Sequence, residues 1–279
     1  MGVLEKTVSA IVVNYRTAGR LPALLAALRS NGVPLETIVV DSASPDVEEA
    51  RAAGACVFLP LAENRGFGAA ANAGARAASA PLLLFANPDV KLEPGAIAAL
   101  VAAIGSSGAV GPRLLDERGE HQVGDCGEEP TVIRALGYAL GAPGLFHRDA
   151  RGRVGWLTGT FLLVRKDAFL AVSGFDERFF LFGEDVDLGR RLAGVGFESH
   201  YVPQVLVTHE GAASYRGTDL EGTWVLGLRK AHAFGGAGAL ARFLFALFLG
   251  AGLLGRGLVA RGEKRSRLLR AARLTLGGG

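Results

Sequence analysis

The feature that most constrains this chain is an alternation. Between residues 7 and 104, short apolar runs alternate with stretches of helical spacing. Residues 7–14 (T-V-S-A-I-V-V-N), 36–40, 56–61 and 81–85 read as buried strands. Residues 21–28, 69–78 and 94–104 read as helices, with Pro22 tolerated in a first turn and Asp46 expected to cap a short helix in between. Strands buried on both faces and separated by helices imply an α/β fold with a mostly parallel sheet covered by helices on both faces. In such sheets ligands bind outside the carboxyl ends of the strands. The residues at those ends are Asn14-Tyr15, Asp41, Asn64 through Gly68, and Asn87 to Asp89. All carry polar or glycine chemistry, and four tips in register form a candidate site.

The second half is read more coarsely. Residues 105–155 are rich in Gly, Pro and charge; they suggest loops around a strand near 109–114 and a place for an acceptor-specific loop. Residues 161–164 read as a strand, 166–172 as a helical turn, and 199–208 as one or two strands ending at His209-Glu210-Gly211. Between them, F-F-L-F-G-E-D-V-D-L-G-R-R-L places three carboxylates, Glu184, Asp185 and Asp187, within four residues behind an aromatic run. From Asp185 the spacing is helical, with Val186, Leu188 and Leu192 toward a core and Arg190 and Arg191 toward water. An acidic first turn is common, because unpaired N–H groups there favour negative charge. Aromatic neighbours and mutual repulsion, however, raise the proton affinity of such carboxylates, which suits a group that accepts a proton or faces a cation.

Charge is unevenly spread. The net +3 of the 279 residues hides a basic tail: from Arg229 onward ten cations face one acid, Glu263, leaving the remainder at −6. Residues 243–255 (F-L-F-A-L-F-L-G-A-G-L-L-G) are uncharged and flanked by Arg242 and Arg256. Thirteen residues fall short of the ~20 that span a bilayer. The stretch therefore reads as interfacial, re-entrant or packed on the domain, with an anionic membrane surface the expected partner. Nucleic acid is not expected, since aromatic and basic residues are not interleaved. Two cysteines, Cys56 and Cys126, make neither a disulfide framework nor a zinc site, and a reducing cytoplasmic setting is expected. No secretory signal is read at residues 1–7. The expected organisation is a catalytic domain over 1–228 and a helical basic tail over 229–279.

Taken together, V-S-A-I-V-V-N-Y, V-V-D-S-A-S, E-N-R-G-F-G-A-A-A-N-A-G, F-A-N-P-D-V, G-F-D-E-R-F-F-L-F-G-E-D-V-D-L and the later His209 resemble glycosyltransferase family 2, in the expected order. Within it they look most like the bacterial rhamnosyltransferase-type members. The resemblance implies a GT-A (Rossmann-like) fold, a nucleotide-diphosphate sugar donor, a divalent metal (Mn²⁺ or Mg²⁺) and an inverting transfer. By resemblance, Asn14, Asp41, Asn64, Arg65 and Gly66 bind the nucleotide end of the donor. Asn87-Pro88-Asp89 stands where the family has an Asp-x-Asp metal motif, so Asp89 is the implied metal ligand and Asn87 a donor contact; the Asn is a departure from the pattern. His209 matches the second metal ligand and Asp185 the catalytic base. Trp156, Thr158, Gly159 and Glu184 match the acceptor side. The variant motifs resemble enzymes using dTDP-L-rhamnose, with a surface glycan or polyprenyl-linked glycan as acceptor, on the inner face of the plasma membrane.

Two other functional classes share features with this chain. A dinucleotide oxidoreductase needs G-x-G-x-x-G after the first strand, where this chain reads Asn14-Tyr15-Arg16-Thr17-Ala18-Gly19. A catalytically silent nucleotide-sugar-binding or scaffold protein is the alternative that Asn87 would favour, while Asp89, Asp185 and His209 argue against it.

Overall fold

A computed structural model describes residues 7–122, 124–142, 152–211 and 220–277. Residues 1–6, in the stretch read for a secretory signal, and residues 143–151, within the stretch read as an acceptor loop, lie outside the described residues. The first half follows the expected alternation: β1 (Val8–Asn14), α1 (Leu21–Arg29), β2 (Leu35–Asp41), α2 (Val47–Ala52), β3 (Val57–Pro60), α3 (Phe67–Ala77), β4 (Leu82–Ala86), β5 (Val90–Leu92) and α4 (Ala96–Ile104). Then come β6 (Ala109–Leu115), β7 (Cys126–Gly127), α5 (Val132–Ala139), β8 (Gly152–Val154), β9 (Trp156–Leu157), β10 (Phe161–Arg165), α6 (Lys166–Ala171), α7 (Glu184–Gly194) and β11 (Ser199–His209). The chain ends in α8 (Leu220–Phe234), α9 (Ala239–Val259) and α10 (Gly262–Leu276).

The strands form one sheet in the order β3-β2-β1-β4-β10-β6-β11-β5, with β8 beside β11. Its first four strands are parallel. Beyond β4 the sheet is mixed: β10 runs antiparallel to β4 and β6, and β5 antiparallel to β11. β5 follows β4 after only three residues, yet pairs at the opposite end of the sheet order. The sheet must therefore curl around the 87–89 turn, and this curl builds the site.

Strand alternation sets the two cores. Val8, Ala10 and Val12 of β1 face α1 and α4, meeting Leu21, Leu25, Leu28, Ile97 and Leu100. Ile11, with Ile38, Val40 and Phe85, faces the small residues of α3 (Ala70, Ala71, Ala75) and the rings of Phe169 and Phe175. A third core joins Trp156, Phe179 and Val186 to Val225 and Leu228 of α8, Phe245, Leu249 and Leu253 of α9, and Ala271 and Ala272 of α10.

The tail differs from the expectation in two ways. The boundary at 228/229 falls inside α8, whose two ends share that core. The apolar stretch lies within a 21-residue helix, α9, long and apolar enough to cross a bilayer by length and composition, with a third of its most apolar 18-residue window buried. Thirteen uncharged residues understate the helix because Arg242 and Arg256 do not interrupt it. Asp46 also departs from its expected role: it stands before α2 without capping it, and its carboxylate accepts instead from the Ala18 N–H (2.9 Å) and the Asn14 amide (3.0 Å).

Candidate active site

Three pairings bring distant segments to one cavity. Along the β5–β11 ladder His209 lies opposite Val90, and the Glu210 N–H donates to the Asp89 carbonyl (3.1 Å). This register sets the His209 ring beside the Asp89 carboxylate, Nε2 to Oδ1 3.4 Å. Along β4–β10, Phe161 lies opposite Ala86 and the Asn87 N–H donates to the Thr160 carbonyl (2.9 Å), so residues 158–160 run beside the 87–89 turn. The Gly159 N–H then reaches Asp185 Oδ2 (3.3 Å). Finally the Phe67 N–H donates to the Phe180 carbonyl (3.1 Å), closing the 64–67 loop against the segment that leads into α7.

The cavity so enclosed has a volume of about 320 Å³. Nine expected residues line it: Asn64, Gly66, Asn87, Asp89, Thr158, Gly159, Glu184, Asp185 and His209. Four do not. Asn14 and Asp41 are fully buried, joined through Asn14 Nδ2 to Asp41 Oδ2 (2.7 Å), and Asp41 Oδ1 accepts the Ser44 N–H (2.9 Å). Both therefore shape the strand tips from beneath rather than touching a donor. Arg65 is turned outward, 3.1 Å from Glu177. Trp156 is 1% exposed and donates Nε1–H to the Glu128 carbonyl (3.0 Å), so it is a core residue and not a sugar platform.

The entry to α7 is the most constrained backbone here. Phe182 (φ 63°) and Gly183 (φ 91°) are both left-handed, an arrangement that stores strain for a non-glycine residue. The turn is held by α8: a Cβ on Gly183 would sit 2.8 Å from the Gly227 carbonyl carbon, and one on Gly227 would sit 2.7 Å from that of Phe182. Two bare backbones thus touch, and the tail helix braces the acidic turn.

The three acids then part company. Asp187, 1% exposed, is gripped by Arg190 (2.5 Å) and Arg191 (2.6 Å). These arginines fold back onto the helix instead of facing water, and Arg191 also donates to the carbonyls of Val172 and Gly174. Asp187 is therefore structural. Glu184 is 4% exposed on the cavity wall, and its Oε2 has no hydrogen-bond partner among the described residues. Burial, with the neighbouring Asp185 charge, pushes its carboxyl well above the usual range. Burial also raises Asp185, against the N–H groups of Val186 and Gly159 that favour its ionised form.

The residues present fit a divalent ion at Asp89 and His209. Gln122 Oε1 lies 2.7 Å from His209 Nδ1, which orients the ring with Nε2 toward the Asp89 oxygen. No group of three His, Cys, Asp or Glu side chains suited to a metal occurs among the described residues. Two protein ligands suffice where substrate phosphates and water complete the shell.

Tyr15 and Phe67, named at the strand ends, also line the cavity; sequence reasoning missed Ser42, Gln122 and Gly227. Gln122 follows a tight turn at Asp116-Glu117-Arg118-Gly119, in which Asp116 Oδ1 accepts the N–H groups of Arg118 and Glu120. That turn signature could have marked the hairpin. Nothing in the local sequence pointed to Gly227.

Two family profiles match the chain: "Glycosyl transferase family 2" over residues 9–140 and "Glycosyl transferase family group 2" over 144–261. The N-acetylglucosaminyl-diphospho-decaprenol L-rhamnosyltransferase of Mycobacterium tuberculosis is 34% identical over 234 residues, 73% of this chain and 76% of that protein. Rhamnosyltransferase WbbL of Escherichia coli is 45% identical over 56 residues, 20% of this chain and 21% of that protein. Among solved structures, the mannosyltransferase PcManGT from Pyrobaculum calidifontis, in complex with GDP-Man and Mn²⁺, superposes with a TM-score of 0.61 at 18% identity, covering 98% of this chain and 81% of that one. TarS 1-349 from S. aureus with UDP-GlcNAc gives 0.57 at 16% identity, covering 95% and 79%. These two likenesses speak to the fold, which is GT-A. With curated relatives at this identity and coverage, the chain belongs to glycosyl transferase family 2 and is a glycosyltransferase of the rhamnosyltransferase-like kind.

Proposed function

We propose that the protein transfers L-rhamnose from dTDP-L-rhamnose to a hydroxyl of a polyprenyl-linked glycan, with inversion, at the inner face of the plasma membrane. The observation that carries this reading is the convergence on one cavity of an acid with raised proton affinity, Asp185, and the Asp89–His209 pair. In a single in-line displacement the acceptor hydroxyl attacks the anomeric carbon as the nucleoside diphosphate leaves. Asp185 takes the hydroxyl proton, and its burial makes it a better base than an exposed aspartate. The Gly159 N–H holds the Asp185 carboxylate toward the acceptor side, where Thr158 and the uncharged form of Glu184 offer hydrogen bonds to sugar hydroxyls. Tyr15, Ser42, Asn64 and Gly66, at the strand tips, face the nucleoside. Asn87 contacts the donor sugar or ribose. Asp89 and His209 would hold the divalent ion, which supplies positive charge to the departing diphosphate when bound. The rhamnosyl donor and lipid-linked acceptor are supported by the names of the curated relatives.

Two measurements test it. Thermal stabilisation by dTDP-, UDP- and GDP-sugars, each with and without Mn²⁺, should show a metal-dependent shift with the dTDP-sugar, because a ligand that binds only the folded state raises the melting temperature. A shift with another nucleotide alone overturns the donor. Asp185→Asn should keep that shift and lose about 10²-fold or more in turnover; near wild-type turnover overturns the base.

A further inference from the structure

α9 has two faces. Phe245, Leu249 and Leu253 are buried in the third core. On the opposite side Leu240, Phe243, Leu247, Leu254 and Leu258 recur every three, four or seven residues and are 39–72% exposed, which makes one continuous stripe along the helix. α5 packs along α9 and adds exposed Ile133, Leu136 and Leu140 at the same spacing. Fifteen large apolar side chains are strongly exposed among the described residues; eleven belong to α5 with its C-cap Leu140, to α9 and to α10. Scattered exposed leucines are ordinary, but concentration on one helical layer is not. The same layer is strongly basic: from Ala239 onward eight cations face one acid.

We infer that this face docks in the plane of an anionic bilayer, with the α9 stripe in the interface and the exposed cations of α10 on the lipid headgroups. An apolar stripe along one side of a helix in a basic helical layer is the pattern of an interfacial helix, and the excess positive charge selects anionic lipid. Crossing the bilayer would strip Phe245, Leu249 and Leu253 from the core they share with Trp156 and Phe179. It would also carry Arg256 into hydrocarbon, away from the Tyr138 ring 3.7 Å beneath it and the Tyr138 carbonyl it donates to (2.7 Å). An in-plane helix keeps every one of these contacts. The same tail holds Gly227 against Phe182–Gly183, so the docked layer and the acidic turn form one packed unit.

The test uses the full chain and vesicles of phosphatidylcholine with or without phosphatidylglycerol. Wild type should bind the anionic vesicles at least tenfold more tightly than the neutral ones. Phe243→Asp with Leu247→Asp, and separately Leu258→Asp, should each lower that binding at least tenfold with unchanged melting temperature, since these side chains are exposed. Deleting the tail would be uninformative, because it removes part of the core. Equal binding to both vesicle types, or wild-type binding by the variants, overturns the inference. So does resistance to carbonate extraction, which means α9 crosses the membrane. So does a wild-type dimer that the Asp variants dissociate without any vesicle binding, which makes the stripe a contact between copies. The readout is binding rather than turnover, so its failure is separable from failure of the glycosyl-transfer reading.

Discussion

Gly66→Ala is the substitution whose effect can be worked most fully from the structure. Gly66 sits at φ 93°, ψ 176°, a region essentially reserved for glycine. An alanine there costs about 1–3 kcal/mol in backbone strain. Its Cβ would also lie 2.7 Å from both the Cα and the carbonyl carbon of Phe180, where ordinary contact begins at 3.4 Å. The Phe180 carbonyl oxygen lies closer still, so the 180 segment must retreat by about 1 Å or more, which breaks or stretches the Phe67 N–H bond to that carbonyl, worth about 0.5–1.5 kcal/mol. The sum is about 2–4 kcal/mol, or about 3–7 °C in melting temperature for a chain of this size. Gly54 is the control: its φ is 78°, but a Cβ there meets nothing within 4 Å. Gly54→Ala therefore carries a positive-φ cost without any contact. Urea unfolding of both variants shows whether Gly66→Ala costs more than a positive-φ alanine in open space. Steady-state kinetics adds the functional half. Because the 180 segment leads into Glu184 and Asp185, Gly66→Ala should lower kcat by up to about 10²-fold, while Gly54→Ala leaves it unchanged. If Gly66→Ala proves no worse than Gly54→Ala in both assays, the claim that the close backbone approach positions the acidic turn is wrong.

Three further outcomes are expected. Glu184 has a folded-state pKa raised above its unfolded value near 4.3. Its burial therefore costs nothing at pH values below that, and stability is lost as the pH rises through the folded value; Glu184→Gln should raise the melting temperature at pH 8 and leave it unchanged at pH 4. Asp187→Asn leaves the partly buried Arg190 and Arg191 without their counter-charge and should cost about 2–3 kcal/mol, discounted for their partial exposure; a loss below 0.5 kcal/mol in denaturant unfolding, an approximate threshold for an exposed pair, would show that the grip is incidental. Trp156→Phe removes a hydrogen bond and some packing, for about 1–2 kcal/mol, and should leave KM for acceptor at its wild-type value; a several-fold rise in KM would restore Trp156 to the acceptor site.

The glycine and acid signals around the site were legible for a local reason. A strand of Val8 to Asn14 and a helix of Phe67 to Ala77 declare themselves through periods of two and 3.6. The polar residues where such elements end can be named without knowing how the elements meet. In this way Asn64, Gly66, Asn87 and Asp89 stand out at strand ends, while the roles of Asp185 and His209 rest on the family resemblance. Legibility failed where burial decides. Asp41 and Asp89 both follow strands in the same sheet, yet one is sealed beneath its loop and the other faces the cavity, because only β5 is drawn across to β11. Glu184, Asp185 and Asp187 are neighbours in sequence; rotation by 100° per residue and the arrival of Arg190 and Arg191 turn them into a buried acid, the proposed base and a structural anion.

By itself, then, the amino-acid pattern determined the α/β alternation, the strand-tip chemistry and the amphipathic, basic character of the tail, since each is a property of residues within a few positions of one another. The tertiary structure alone decided the curl of the sheet that sets His209 beside Asp89, the sealing of Asn14 and Asp41, and the contact of Gly227 with Phe182–Gly183. These depend on strand register and on backbones meeting across more than forty residues of chain, and no local spacing encodes which distant surface a glycine is left bare to receive.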